Sequence, residues 1–271
     1  MLHLHRVYRR KSISTARRRK TAPIAGLLAA ASLALALSGC GTSYDTTAPS
    51  SARERASVDG KEVKAGSVDC SKAKCVALTF DAGPSENTPR LLDILKKENA
   101  HATFFMLGKN HVLKYPDLVR RIAAEGHELA NHTWTHKILT KSDDDEVRDE
   151  ITRTQDAVSK ITGSKKPLLM RPPQGRTDDR VSKICRELGI AQVLWSVTAK
   201  DYQTTDSALI TKRVLDQVDR DGVILLHDIY KGTVPAVPGI LEGLKKRGYT
   251  VVTVSELMAP AKPEAGKIYK P

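Results

Sequence analysis

From Cys75 onward, short apolar runs recur at spacings that leave room for one helix between each pair, and this alternation limits the fold more than any other feature of the chain. The runs cover residues 76–81, 102–107, 127–131, 168–171, 192–197, 223–227 and 249–254. They are rich in Val, Leu, Ile and Phe, as strands buried on both faces require. Helix signals fill the gaps. Thr88-Pro89, Pro116-Asp117, and Ser142 ahead of the acids Asp143 to Glu146 open helices, while Gly126 and Gly163 close them. The acid run is read as a complement to the helix dipole rather than as a calcium site. Strands joined by crossover helices must be parallel, so the expected class is α/β, either a barrel or an open doubly wound sheet. Both architectures place chemistry at the carboxyl ends of strands. Asp81, His132, Arg171, Asp201 and His227 all lie at, or a few residues past, the ends of different runs.

The formal charge of +13 suggests nucleic acid, but residues 1–39 hold eight Lys/Arg and no acid, which leaves 36 basic against 31 acidic residues, or about +5. Nucleic-acid binding therefore has little support. Those first residues have the parts of a secretory signal: basic Arg17 to Lys20, then an Ala/Leu-rich stretch over 24–37 that is shorter than the roughly 20 residues a membrane span needs. Leu37-Ser38-Gly39-Cys40 resembles a bacterial lipobox, which implies cleavage before Cys40 and a lipid on its sulfur. The expected organisation is a lipoprotein-type signal peptide over 1–39, a lipid-anchored flexible linker over 40–66, and one catalytic domain over 67–271. The linker reading rests on a Ser/Thr/Ala-rich, charged composition without apolar periodicity. Cys70 and Cys75 suit a short disulfide-closed loop in an oxidising compartment. Cys185 shares one helix face with Val181, Ile184 and Leu188 and is expected to be a core thiol.

Two local patterns occupy the strand ends. T-F-D-A-G-P over 79–84 presents Asp81, and N-H-T-W-T-H over 131–136 presents His132 and His136, whose spacing is expected to place both imidazoles on one side of a helical turn. A carboxylate with paired imidazoles points to a metal-dependent hydrolytic site.

Together with R-P-P-Q-G over 171–175, Asp201-Tyr202 and Leu225-Leu226-His227, these runs resemble the five ordered motifs of the polysaccharide deacetylase family, the NodB homology domain or carbohydrate esterase family four. The resemblance covers about residues 70–258. It implies a distorted (β/α) barrel of about seven parallel strands, a divalent metal (zinc first, cobalt or nickel as alternatives), and hydrolysis of an acetyl group on a glycan. It further implies Asp81 as general base, Arg171 as the cation paired with it, and His132 and His136 as metal ligands. His227 would be the acid that protonates the leaving group, with Asp201 orienting it. Tyr202, where the family more often has Trp, and Leu225 would wall the acetyl pocket. Gln174 takes the place of the family's aromatic residue, beside a main-chain oxyanion donor. Trp134 and Tyr230 are candidates for stacking on sugars. Ala82 departs from the pattern, because the family usually has a second, metal-binding Asp there. The expected protein is a monomer on the outer face of the cytoplasmic membrane or cell envelope that acts on an N-acetylated polysaccharide. Peptidoglycan is the first substrate expected, with chitin-like oligomers and acetylated xylan as alternatives. The competing expectation is a weakened or inactive glycan-binding protein on the same fold.

Overall fold

The structure, a computed structural model, describes residues 44–64, 68–164 and 166–271. The signal-like segment and Cys40 lie outside the described residues. The strands are β1 Thr46–Thr47, β2 Lys74–Asp81, β3 Thr103–Met106, β4 Glu128–Asn131, β5 Leu169–Met170, β6 Ala191–Val193, β7 Val197–Thr198, β8 Val223–His227, β9 Tyr249–Val252 and β10 Ile268–Tyr269. The helices are α1 Pro49–Val58, α2 Thr88–Lys97, α3 Pro116–Ala124, α4 Asp144–Thr162, α5 Asp179–Glu187, α6 Ser207–Gln217, α7 Thr233–Lys246 and α8 Val254–Met258. None of these helices is long and apolar enough to cross a membrane.

Every strand pairing is parallel, and the order is β1-β10-β6-β5-β4-β3-β2-β8-β7, with β9 joined to the first half of β2. All seven expected runs form strands, with one correction. The stretch read as a single strand over 192–197 breaks at residues 194–196. Its first half pairs with β5 and β10, and its second half pairs with β8 at the opposite end of the order. The bend thereby closes the sheet into a distorted (β/α) barrel.

Strand alternation decides which residues face the site. On β2, Val76, Leu78 and Phe80 pack outward in a core with Leu91, Leu92 and Leu95 of α2 and Ile240 and Leu244 of α7. The intervening Ala77, Thr79 and Asp81 face the barrel interior. There Ala77 meets Phe105, Ala130, Ala191 and Val193, small residues among larger ones that let the strands close tightly. The Asp143 side chain caps α4 by accepting from the Glu146 amide at 2.8 Å, one position later than the Ser142 signal implies. Gly163 ends α4 at φ 65, where a glycine carries no side-chain penalty. Cys70 and Cys75 are disulfide-bonded, and Cys185 is a buried free thiol that burial pushes up to about 12.

The structure corrects the reading of 40–66 as a structureless tether. Within that segment, β1 pairs with β10, and α1 packs against α8 with Ala52, Arg53 and Ala56 buried. The Arg53 guanidinium donates to both carboxylate oxygens of Asp221 at 2.9–3.0 Å and to the Leu257 carbonyl at 2.8 Å. One buried ion pair and small alanines anchor this helix rather than an apolar stripe, so hydrophobic periodicity had no trace of it to offer. Removing Arg53 would leave the part-buried Asp221 with only the longer 3.6 Å pair to Arg220 Nε. Arg53→Ala is expected to lower the unfolding free energy by about 2 kcal/mol. Lys246→Ala, which removes only the exposed pair with Glu242, is expected to cost less than about 0.5 kcal/mol. Urea denaturation followed by tryptophan fluorescence compares them, and equal effects would show that α1 is not docked.

Candidate active site

At the end of β2, Asp81 is buried and receives a 2.6 Å hydrogen bond on Oδ1 from Nη1 of Arg171, which follows β5. The same Nη1 donates to Thr79 Oγ1 at 2.8 Å, and Nε donates to the Val193 carbonyl at 3.1 Å. The guanidinium lies 4.1 Å above the Phe105 ring. Arg171 is entirely buried, and burial pulls its pKa down while the charge of Asp81 opposes that shift. The other oxygen, Oδ2, lies 3.9 Å from His132 Nε2. His132 Nδ1 is 2.8 Å from the Arg171 carbonyl. A carbonyl only accepts, so Nδ1 must carry the proton and Nε2 keeps its lone pair toward Asp81. Burial reinforces the neutral form, pushing His132 down to about 4, and His136 is lowered for the same reason.

The two imidazoles are neighbours, with ring centroids 4.9 Å apart, but not through a helical turn. After β4 the chain enters an irregular loop in which Thr133 and His136 adopt left-handed φ of 72° and 66°. Polar side chains, one from α4 and one from the motif itself, hold that shape. The Glu150 carboxylate, on the buried face of α4, accepts from the Trp134 amide at 3.0 Å, the Thr135 amide at 2.7 Å and the Thr135 hydroxyl. Asn131 Oδ1 accepts from the Thr133 amide at 2.7 Å. The expectation that Trp134 stacks on sugar is corrected. Its ring is 7% exposed, packed against Gly108 and beneath the Arg153 guanidinium at 4.4 Å.

The second pole stands on β8. His227 Nδ1 lies 2.9 Å from Asp201 Oδ1, and its main-chain amide donates to Asp201 Oδ2 at 2.8 Å, as does the Thr233 hydroxyl. Burial alone would lower the His227 pKa, but the Asp201 hydrogen bond and charge, with the more distant charge of Asp81, outweigh it and raise the pKa above its ordinary value. Leu225 precedes His227 by two residues on β8 and therefore shares its inward face. Tyr202, 52% exposed, presents its ring edge-on to His227 at 6.2 Å, and Tyr230 does so at 5.3 Å. Both rings, with Asp201, line a cleft of ≈ 650 Å³.

Asp81 and His227 are register partners on adjacent strands. The loop after Asp81 is held by Asp228, a residue that the sequence motifs passed over. Its buried carboxylate accepts from the Thr88 hydroxyl, its carbonyl accepts from Ser85 Oγ at 3.0 Å, and burial raises its pKa to about 6. A Cβ on Gly83 would stand 2.3 Å from Asp228 Oδ1, so this close approach requires glycine. Ala82 itself has φ 66° and offers no donor atom to a metal. Among the described residues, no group of three His, Cys, Asp or Glu side chains is arranged to hold a metal ion. His132 and His136 supply two nitrogen donors. Gln174 is exposed at φ 59° on the loop after Arg171.

The sequence profile of the polysaccharide deacetylase family matches residues 69–193. The fold agrees at high identity: a solved structure described as T48 deacetylase with substrate superposes with a TM-score of 0.71 and 39% identity, over 74% of this chain and 99% of that one. The chain belongs to the polysaccharide deacetylase family. Within that family it is 41% identical over 197 residues to the peptidoglycan-N-acetylglucosamine deacetylase PgdA of Listeria monocytogenes, covering 72% of this chain and 41% of the relative. It is 40% identical over 185 residues to the peptidoglycan-N-acetylmuramic acid deacetylase PdaC of Bacillus subtilis, covering 68% of this chain and 38% of the relative. The chain thus spans about two fifths of the length of these curated relatives.

The family's residues reach one face from five strand ends and the loops after them, and the supporting residues Glu150, Thr233 and Asp228 fall between the motifs. Of these, Glu150 left a sequence signal: a carboxylate at a core-facing helical position among Val147, Ile151 and Thr154. Glu150→Ala is expected to cost about 2 kcal/mol in a urea melt, because two main-chain amides lose their acceptor. Asp201→Asn removes the charge that raises His227 and leaves its burial. The His227 titration midpoint, followed by NMR of the ring in metal-free protein, is expected to fall from above to below 6.5. An unchanged midpoint would mean that Asp201 does not set it.

Proposed function

We propose that this chain hydrolyses acetyl groups from N-acetylated amino sugars of a cell-wall polysaccharide, peptidoglycan first. The observation that carries the reading is the pairing of Asp81 with His227 on neighbouring strands, one held by a guanidinium and the other by a carboxylate. Hydrolysis of an amide needs a base for the attacking water and an acid for the leaving amine, with opposite charge preferences. Arg171 holds the Asp81 carboxylate in place through Oδ1, and Asp81 takes the proton from water on one side of the acetyl carbonyl. Asp201 favours imidazolium at His227, which gives a proton to the departing nitrogen on the other. The main-chain amide at Gln174 is the donor proposed for the oxyanion. Tyr202 and Leu225 wall the acetyl methyl. The names of the relatives support both amino sugars of peptidoglycan as substrates.

The donor set fits a divalent ion in part. The Arg171 carbonyl fixes the His132 tautomer that leaves Nε2 as a ligand, and His136 stands beside it. Bound there, the ion would supply Lewis-acid polarisation of the carbonyl and of the attacking water. Zinc suits two imidazoles and an oxygen donor, and cobalt and nickel are the alternatives. The exported, lipid-anchored placement through Cys40 belongs to the same proposal and would hold the enzyme against its substrate.

Ala82 favours a second reading, a weakened or inactive glycan-binding protein. Acetate release from N-acetylglucosamine oligomers, peptidoglycan and acetylated xylan, measured on the full chain stripped of metal and restored with zinc, cobalt or nickel, separates the two. An enzyme releases acetate only with metal. Asp81→Asn, His132→Ala and His227→Ala each lower the rate by about 10²-fold or more, and Ala82→Asp raises metal affinity and rate together. Glycan binding without acetate release under any metal would establish the second reading.

A further inference from the structure

The Gln174 loop borders a second cleft, distinct from the one beside His227. The cleft is ≈ 230 Å³ and is lined by Tyr44, Gln174 and Trp195, with Lys270 at its edge. A neighbouring cleft of ≈ 300 Å³ shares Tyr44 and is bordered by Arg176. Tyr44 and Lys270 come from the two ends of the described chain and lie outside the segment that the family profile matches. The β1–β10 pairing brings them to the site, where the Lys270 amide donates to the Thr47 carbonyl at 3.0 Å.

The chemistry of this lining is specific. Tyr44 and Trp195 are half-buried, each with part of its ring surface open to solvent. Lys270 and Arg176 are exposed, and among the described residues neither side chain has a carboxylate partner. Aromatic faces suit the C–H face of a pyranose, and an exposed amide such as Gln174 suits its hydroxyls. Two unpaired cations beside them suit a carboxylate. Asp178, which lines the cleft beside Arg176, has its carboxylate engaged as the cap of α5, accepting from the Val181 amide.

We propose that this cleft is a second saccharide subsite that binds a carboxylate-bearing sugar residue next to the acetylated one. Tyr44 and Trp195 stack on its ring, and Lys270 and Arg176 take its anionic substituent. The proposal rests on the deacetylase reading for the direction of the chain, since Gln174 belongs to both the reacting site and the subsite. It gives the appended N- and C-terminal segments a part in choosing between polysaccharides of alternating acidic sugars and uniformly neutral ones. The carboxylate can be carried by the sugar itself or by a peptide attached to it, and the two sources call for separate ligands.

The test measures binding to the metal-free full chain by calorimetry, so it does not depend on turnover. The ligands are chitotetraose, a peptidoglycan tetrasaccharide with free lactyl carboxylates, and the same tetrasaccharide with its stem peptides. The double variant Lys270→Gln/Arg176→Gln is expected to weaken the lactyl tetrasaccharide about tenfold and leave chitotetraose within about twofold. Tyr44→Ala is expected to weaken all three. A tenfold loss confined to the peptide-bearing ligand would place the recognised carboxylate on the stem. Wild-type binding of both acidic ligands by the double variant would overturn the subsite, as would wild-type binding of all three by Tyr44→Ala. Failure of acetate release with the double-variant effect intact would remove the catalytic reading alone.

Discussion

The fully buried guanidinium of Arg171 ties strands together across the barrel interior. It donates to Asp81 and Thr79 on β2 and to the Val193 carbonyl at the end of β6, and it stacks on Phe105 of β3. A buried cation needs its charge balanced, so the residues that meet Nη1 and Nε are constrained together, while Nη2 has no hydrogen-bond partner among the described residues. Its backbone is engaged as well, since the Arg171 amide donates to the Asn131 carbonyl and its own carbonyl fixes the His132 tautomer. The placement of Asp81 and the tautomer of His132 thus depend on one side chain and its peptide unit.

The two titratable poles differ because their surroundings differ, although Asp81 and His227 face each other across a single strand pairing. Asp81 has a cation for a partner. His227 has an anion, itself held by Thr233 and the His227 amide. His132 is more deeply buried and has a carbonyl rather than a carboxylate on its ring nitrogen, and burial dominates, so it stays neutral. The two histidines are therefore shifted in opposite directions by what touches them, a carboxylate at His227 and a carbonyl at His132, not by residue type.

Ala82 shows that the loop does not need a carboxylate to keep its shape. Its amide donates to the Phe105 carbonyl at 3.0 Å, and the next residue, Gly83, is pressed against Asp228. An alanine at φ 66° carries a steric cost that an aspartate or asparagine tolerates better. The frame built around this position outlasts the donor atom that the family usually places there.

Much of this protein was readable from local pattern alone. The strand runs, the helix starts at Thr88, Pro116 and the Asp143 acid run, and the location of Asp81, Arg171 and His227 at strand ends depend on residues within a turn or two of each other. The features that sequence could not supply depend on partners far along the chain. The helix α1 docks through Arg53 and Asp221, 168 residues apart, and the histidine loop takes its shape from Glu150 rather than from a helical turn. Trp134 packs inward because Gly108 and Arg153 enclose it. The bend at residues 194–196 closes the barrel because the two halves of one run find different neighbours. Sequence by itself determined which elements form and in what order, since hydrophobic period and capping are short-range. Only the tertiary structure decided how the sheet closes, which side chains stay exposed and which ionisable groups face each other, because burial and charge pairing are properties of the assembled barrel.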